Sequence, residues 1–162
     1  MAALVAAWIP RAGARAQSVA APPPVRVGQR APAAPVTRLD GSTTNVAHYI
    51  GQRPVVIEFW GTWCGNCRAL EPAMHAAHAA LGDRVTFLTV AVSVDETPAD
   101  VASYTRAHDY PPDVVFDPTG AAVDAYGAPG TSFVVVVDRS GGIVYTGSGG
   151  DQDLAAAIHK AL

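Results

Sequence analysis

The chain has 162 residues, of which 49% are apolar and 15% are charged, so it can bury the core of one domain and is too apolar for a disordered protein. Its formal net charge is −3 and it contains no basic run, which argues against nucleic-acid binding and against strong attraction to anionic membranes. The two cysteines are too few for a disulfide framework or a four-cysteine zinc site.

Residues 1–24 are predicted to be a secretory leader and a proline-rich linker. A short apolar run at 2–9 precedes the small-x-small pattern that ends at Ala16, which is typical of signal cleavage. No positive charge precedes that run, so an alanine-rich disordered tail is the alternative. Residues 20–24 read as a stiff, extended linker. One folded domain is therefore expected over 25–162, in an extracytoplasmic compartment after cleavage near Ala16.

The rest of the chain alternates between strand and helix patterns. The run at 55–60 is apolar on both faces except for Glu58, which predicts a central strand covered on both sides. A helix is predicted from Cys64 to about Leu81, and Thr97-Pro98-Ala99-Asp100 predicts a capped helix start. The remaining predictions are strands at 35–38, 43–46, 85–92, 114–116, 133–137 and 143–146, and helical segments at 46–50, 97–108, 121–126 and 151–162. This order predicts an α/β fold with a mixed central β-sheet and helices on both faces.

Both cysteines lie in the tetrad Cys64-Gly65-Asn66-Cys67, between the predicted central strand and the following helix. The unpaired N–H groups of a helix N-terminus stabilise a thiolate, so Cys64 is predicted to be the attacking sulfur. Cys67 lies one turn further in and is expected to be more buried and to act as the resolving thiol. A disulfide across so short a loop constrains the unfolded chain little, which makes an inert staple a poor explanation.

Glu58 interrupts the central strand six residues before Cys64. Burial raises the pKa of a carboxyl group, and such a group close to Cys67 can accept the proton of the resolving thiol. The alternative is that Glu58 points out of the sheet or pairs with an arginine. His75 and His78 lie one turn apart on the predicted helix, where a solvated helix face is favoured over a metal site. We expect no metal and no cofactor beyond the redox-active disulfide.

Four segments together resemble the thioredoxin superfamily, and most of all its TlpA/ResA-type extracytoplasmic thiol–disulfide oxidoreductases. They lie within residues 25–162, at 28–41, 59–72, 92–120 and 126–141. The resemblance implies a thioredoxin-like fold with an N-terminal extension and a strand–helix insertion, and it supports an acid at the position of Glu58. It also implies disulfide-bearing secreted proteins as partners, apocytochrome c among them, with a membrane electron donor that re-reduces the protein. The expected net direction is reduction of the partner, and a monomer is expected.

Further residues are expected to form the substrate-binding border of Cys64. They are Trp63, Gly65, Asn66, Pro129, Gly130 and Thr131. The family carries a cis-proline where this chain has Gly130, and Pro129 comes one residue earlier. Because a cis peptide without proline costs about 3 kcal/mol, Pro129 is predicted to be the cis residue, with a loop lacking any cis bond as the alternative.

Two other functions use the same cysteines. A peroxiredoxin-like peroxidase shares the fold, but its Pro-x-x-x-Thr/Ser-x-x-Cys approach is missing, since Thr62 is two residues before Cys64. A copper-binding chaperone would need both thiolates and a histidine late in the chain, for which His159 in the last predicted helix is poorly placed.

Overall fold

A computed structural model describes residues 21–111 and 113–162, so the predicted leader and cleavage site lie outside the described residues. Seven strands form one mixed sheet. They are β1 (Pro35–Arg38), β2 (Thr43–Asn45), β3 (Val55–Trp60), β4 (Thr86–Val92), β5 (Asp113–Asp117), β6 (Phe133–Val137) and β7 (Ile143–Ser148). Their order across the sheet is β2-β1-β5-β4-β3-β6-β7, with β3, β4 and β5 parallel and every other pairing antiparallel.

The described residues also form four α-helices and one 3₁₀ turn. The helices are α1 (Gly65–Leu81), α2 (Pro98–Ala107), α3 (Ala121–Tyr126) and α4 (Leu154–His159), and the 3₁₀ turn is Val46–Tyr49. The predicted mixed sheet with helices on both faces is confirmed. The last helix is shorter than the predicted 151–162, because the Asp153 side chain accepts a hydrogen bond from the Ala156 N–H and so caps the helix start.

The side chains of the central strands point alternately to the two faces of the sheet and form two separate apolar layers. On one face of the sheet, Ile57 of β3 and Val135 of β6 pack with Tyr126 of α3. On the other face, Val56 and Val136 pack with the apolar sides of α1 and α4. Successive side chains of a strand point to opposite faces, so β3 and β6 are buried from both sides and contain almost no polar residue.

A third apolar cluster lies at the carboxyl end of β3 and holds the cysteine pair. Trp60 packs there with Cys64, Cys67, Val101 of α2 and Tyr110. Glu58 and Trp60 are two residues apart on one strand, and therefore face the same side of the sheet. The fold thus places the single acid of β3 between this cluster and the layer beneath α1. Within the part of the chain that the structure describes, no helix has the length and apolar character needed to cross a membrane.

Candidate active site

The cysteine pair lies at the start of α1, as the sequence predicts for that helix. Cys64 is the N-cap residue, and its Sγ accepts a hydrogen bond from the Cys67 N–H at 3.0 Å. The two residues are joined by a disulfide with 5.3 Å between their Cα atoms. They are 3% and 2% exposed respectively, so in this oxidised form their burial does not distinguish them. Their places in the helix do, because only Cys64 occupies the capping position.

The segment before Cys64 is held by the loop that follows β4. The Glu96 Oε2 accepts hydrogen bonds from the Thr62 N–H at 2.8 Å and from the Thr62 hydroxyl at 2.7 Å. The Trp63 indole N–H donates to the Val94 carbonyl at 2.7 Å. These three bonds fix the backbone that leads into the disulfide. Glu96 and Val94 belong to a segment that the sequence marked only as a family insertion.

Glu58 is 1% exposed, so the predicted burial is confirmed and the alternative of an outward-facing residue is wrong. No arginine among the described residues forms an ion pair with it. Its Oε2 accepts a hydrogen bond from the Tyr110 hydroxyl at 3.2 Å, while its Oε1 is buried without a hydrogen-bond partner among the described residues. Burial raises the pKa of Glu58 to about 8, against the lowering effect of the Tyr110 hydrogen bond. The carboxyl group is therefore mostly protonated at neutral pH.

A second carboxyl group lies toward the surface from Glu58. Glu71 of α1 accepts a hydrogen bond from the Tyr104 hydroxyl at 2.8 Å, and the His108 Nδ1 is 3.7 Å from its other oxygen. Burial, followed by the Glu71 hydrogen bond, raises the pKa of Tyr104 to about 12. The Glu71 side chain is 16% exposed and is therefore largely buried.

The histidines of α1 are half-buried rather than forming a solvated face. The His75 ring meets the Tyr110 ring edge-on at 6.0 Å, and the His78 ring meets Phe87 edge-on at 5.2 Å. Each of the two imidazole rings therefore packs against an aromatic side chain of a neighbouring element. Among residues 21–111 and 113–162, no group of three or more histidine, cysteine, aspartate or glutamate side chains could hold a metal ion.

The loop from α3 to β6 contains no cis peptide bond, so the prediction of a cis Pro129 is wrong. The chain turns instead at Ser132, whose φ of 61° lies in the left-handed region. Ser132 donates its N–H to the Phe59 carbonyl at 2.7 Å and its hydroxyl to the Gly149 carbonyl at 2.8 Å. These bonds attach the loop to the end of β3 with trans peptides throughout.

The predicted border residues are only partly brought together. Gly130 and Thr131 line an open apolar groove of about 190 Å³ with Trp63 and Val94. Trp63 is 45% exposed and Val94 is 54% exposed, which is unusual for side chains of this size and apolarity. Pro129 is exposed and is not part of the groove lining. Gly65 and Asn66 lie on the exposed first turn of α1.

The first turn of α1 also has a close neighbour that the sequence gave no reason to expect. A Cβ atom on Gly150 would lie 2.6 Å from the Ala69 Cβ and 2.9 Å from the Asn66 carbonyl oxygen. The backbone after β7 can therefore approach the cysteine-bearing turn only because residue 150 has no side chain.

Comparison with known proteins agrees with this geometry. The AhpC/TSA family model matches residues 27–146, and the chain belongs to this family. The thiol–disulfide oxidoreductase ResA of Bacillus thuringiensis is 26% identical over 120 residues, which are 74% of this chain and 68% of that protein.

Solved structures share the fold. The thioredoxin domain of a thiol–disulfide oxidoreductase from Bacteroides vulgatus superposes with a TM-score of 0.70 at 22% identity, over 85% of this chain and 99% of that one. The exposed lipoprotein thioredoxin of Streptococcus pneumoniae gives a TM-score of 0.64 at 26% identity, over 80% and 98%. The chain is a thiol–disulfide oxidoreductase of the ResA type with a Cys64–Cys67 pair.

Proposed function

We propose that this protein reduces disulfides in extracytoplasmic protein partners, with Cys64 as the attacking thiolate and Cys67 as the resolving thiol. The observation that carries the proposal is a Cys64–Cys67 disulfide on the capping turn of α1, on the same sheet face as a buried glutamate. The helix N-terminus favours negative charge on the Cys64 sulfur, and a thiolate is the form that attacks a disulfide.

The reaction balances as two thiol–disulfide exchanges. In the reduced protein, the Cys64 thiolate attacks one sulfur of the partner disulfide, and the other partner sulfur leaves as a thiolate that takes up a proton. The Cys67 thiol then loses its proton and attacks the Cys64 sulfur. This forms the Cys64–Cys67 disulfide and releases the second partner sulfur. The partner gains two electrons and two protons, and a dithiol donor at the membrane must return them to this protein.

Glu58 is the proton acceptor that this proposal assigns to Cys67. Its pKa of about 8 lies close to the ~8.5 of an ordinary cysteine thiol, so a proton moves between the two groups at little cost in free energy. The accepting form is the ionised carboxylate, which at this pKa is roughly a tenth of the molecules at pH 7 and a growing share as the pH rises. The apolar cluster around the disulfide supports the assignment, because Tyr110 donates to Glu58 and belongs to the same cluster as both cysteines. The same pairing would return the proton when a donor reduces the disulfide.

The groove beside the cysteine pair supports a protein substrate. Its lining is apolar and includes the backbone of Gly130 and Thr131, which precede β6. An extended segment of a partner can place an apolar side chain against Trp63 and Val94 while its disulfide approaches Cys64. We propose Pro129, Gly65 and Asn66 as outer contacts of the same segment.

An extracytoplasmic location fits both the leader pattern before Ala16 and the similarity to an exposed pneumococcal lipoprotein. Secreted proteins that carry disulfides are the corresponding partners, and apocytochrome c with its paired cysteines is one of them. The proposal also takes the mature domain to be a monomer that uses no cofactor other than its disulfide.

Trapping tests the proposal directly. The Cys67→Ser variant, expressed with its leader in a native-like extracytoplasmic compartment, should accumulate mixed disulfides between Cys64 and its partners. The Cys64→Ser variant is the matched control and should accumulate none. The wild-type protein should reduce insulin in vitro. Absence of both trapped partners and insulin reduction would reject the proposal.

Because the chain belongs to the AhpC/TSA family, a peroxidase is the competing activity. The two activities are separated by one assay with a thiol reductant, in which steady consumption of peroxide would favour the peroxidase. We expect disulfide reduction, because the segment before Cys64 lacks the threonine spacing of the peroxidase site.

A further inference from the structure

Tyr110 follows α2 and reaches beneath the cysteine-bearing end of the sheet. Its ring stacks on Trp60 with 4.7 Å between ring centroids and 12° between planes, and the residue is buried. Its hydroxyl donates to the Glu58 Oε2 at 3.2 Å. It is the hydrogen-bond donor that the structure gives to this carboxyl group, since Oε1 has no partner in the described part of the chain.

In this arrangement the Tyr110 hydroxyl can act only as a hydrogen-bond donor to Glu58. Burial, with the charges of Glu58 and Glu71, raises the pKa of Tyr110 far above its ordinary value, so its proton stays in place at any pH at which the protein works. The hydroxyl is therefore a permanent donor, not an acid. A donor stabilises a carboxylate more than a protonated carboxyl group, because the charged acceptor forms the stronger hydrogen bond.

We propose that Tyr110 is a positioning residue that orients Glu58 and sets the pH at which this carboxyl group accepts the proton of Cys67. The proposal rests on the proposed function for its kinetic consequence, but the effect on Glu58 itself can be measured without any reaction. The stacking on Trp60 fixes the ring, and Trp60 is four residues before Cys64 on the chain that carries the disulfide.

Other titratable and polar groups face Glu58 from the elements packed around it. Thr89 is its partner on β4, and Glu71 of α1 and Tyr104 of α2 interact with its charge. One contact further away, His108 lies against Glu71, His75 lies against Tyr110, and Cys67 belongs to the same apolar cluster as Tyr110. The Glu71 charge also raises the pKa of Glu58, although less than burial does. All of these groups are the same in the variants compared below, so a difference between variants isolates the Tyr110 hydroxyl.

The test is Tyr110→Phe, which removes the hydroxyl and keeps the ring on Trp60. The matched control is Tyr126→Phe, since Tyr126 is also buried and donates its hydroxyl to the Pro32 carbonyl at 3.0 Å, on the opposite face of the sheet. The first readout is the NMR titration of the Glu58 carboxyl carbon in the oxidised protein, where neither cysteine titrates.

We expect the Glu58 midpoint to rise by about one pH unit in Tyr110→Phe, a tenfold change in the acid dissociation constant, and to stay in place in Tyr126→Phe. An unchanged midpoint in Tyr110→Phe would overturn the proposal. If that variant does not fold, replacement of all tyrosines by fluorotyrosine tests the same bond, because a more acidic hydroxyl is a stronger donor. The midpoint should then fall, and an unchanged midpoint would again overturn the proposal.

The second readout follows the resolving step with dithiobis(nitrobenzoate) as the disulfide probe. The reduced protein should release one nitrobenzoate thiolate on attack by Cys64 and the second when Cys67 displaces it. The pH midpoint of the second phase should rise in Tyr110→Phe, and should not differ between Glu58→Gln and the double variant. A shift that persists in the Glu58→Gln background would refute the link to Glu58. If the wild-type protein does not reduce insulin, the proposed function is rejected. The effect of Tyr110 on the Glu58 titration can still be judged from the first readout.

Discussion

Replacing Glu58 by glutamine should make the oxidised protein more stable at alkaline pH and a poorer reductase. In the unfolded chain this carboxyl group ionises near its ordinary pKa of 4.5, whereas burial raises its pKa in the folded protein to about 8. Between these two values the folded state holds a proton that the unfolded state has lost. The free energy of unfolding therefore falls by about 1.4 kcal/mol for each pH unit in that window.

The sign and the size of the effect follow from that window. Below about pH 4.5 both states are protonated, so glutamine replaces a neutral group of nearly the same shape and little changes. As pH rises to about 8, the ionisable side chain progressively destabilises the wild type, by up to about 5 kcal/mol over the whole interval. That is comparable with the total stability of many domains, so the effect is large enough to measure.

Denaturant unfolding of the oxidised proteins at several values between pH 4.5 and pH 9 measures this difference. The disulfide keeps both thiols out of the titration. The advantage of Glu58→Gln should grow with pH up to about pH 8 and then level off, because Glu58 is ionised in both the folded and the unfolded state above that pH. Asp124→Asn, which removes an exposed carboxylate from α3, should stay within about 0.5 kcal/mol of wild type. A constant difference between Glu58→Gln and wild type across this range would show that Glu58 ionises normally, and would refute its assignment as a proton acceptor tuned by burial.

Three further outcomes are expected. Gly150→Ala should destabilise the protein by about 1–3 kcal/mol in denaturant unfolding, because the new Cβ meets Ala69, whereas Gly130→Ala has open space and should cost far less. Asp117→Ala should lower stability by about 1–3 kcal/mol in the same assay, since its Oδ2 accepts two N–H groups at the start of α3. Alkylation of Cys64 in a reduced protein that carries serine in place of the second cysteine should show a pH midpoint below the ~8.5 of a free thiol, and an equal midpoint would contradict a stabilised thiolate.

Local patterns accounted for most of the fold. The capped start of α2 followed from Thr97 and Asp100, whose side chains both take part in the predicted capping box. The central position of β3 followed from its almost uninterrupted apolar run, because a strand with one solvent-exposed face would alternate apolar and polar residues. The end of the chain was harder, since Asp151 and Asp153 are both possible capping residues before the alanine-rich helix, and the apolar pattern continues past its last residue, His159.

The site was predictable where its residues are close in sequence and not where they meet through the fold. The Cys64–Cys67 spacing and the isolated acid at Glu58 are visible in the chain itself. Tyr110 is 52 residues from Glu58, and an aromatic residue before two prolines has no pattern that indicates its partner. The path of the loop before β6 was also hidden, because a serine in the left-handed region, Ser132, replaces the turn that a cis-proline was predicted to make.

The buried glutamate relates the stability of this protein to its chemistry. A leucine at position 58 would suit an apolar strand and would remove the pH-dependent loss of stability, yet it could not accept a proton. A carboxyl group at the surface would ionise near 4.5 and would hold a proton too weakly to exchange it with a thiol at neutral pH. Burial raises the pKa into the range of a thiol, and the Tyr110 hydrogen bond keeps it from rising further. The lack of a hydrogen-bond partner for Oε1 among the described residues and the loss of stability between about pH 4.5 and 8 are therefore consequences of the same burial that the proposed proton exchange with Cys67 requires.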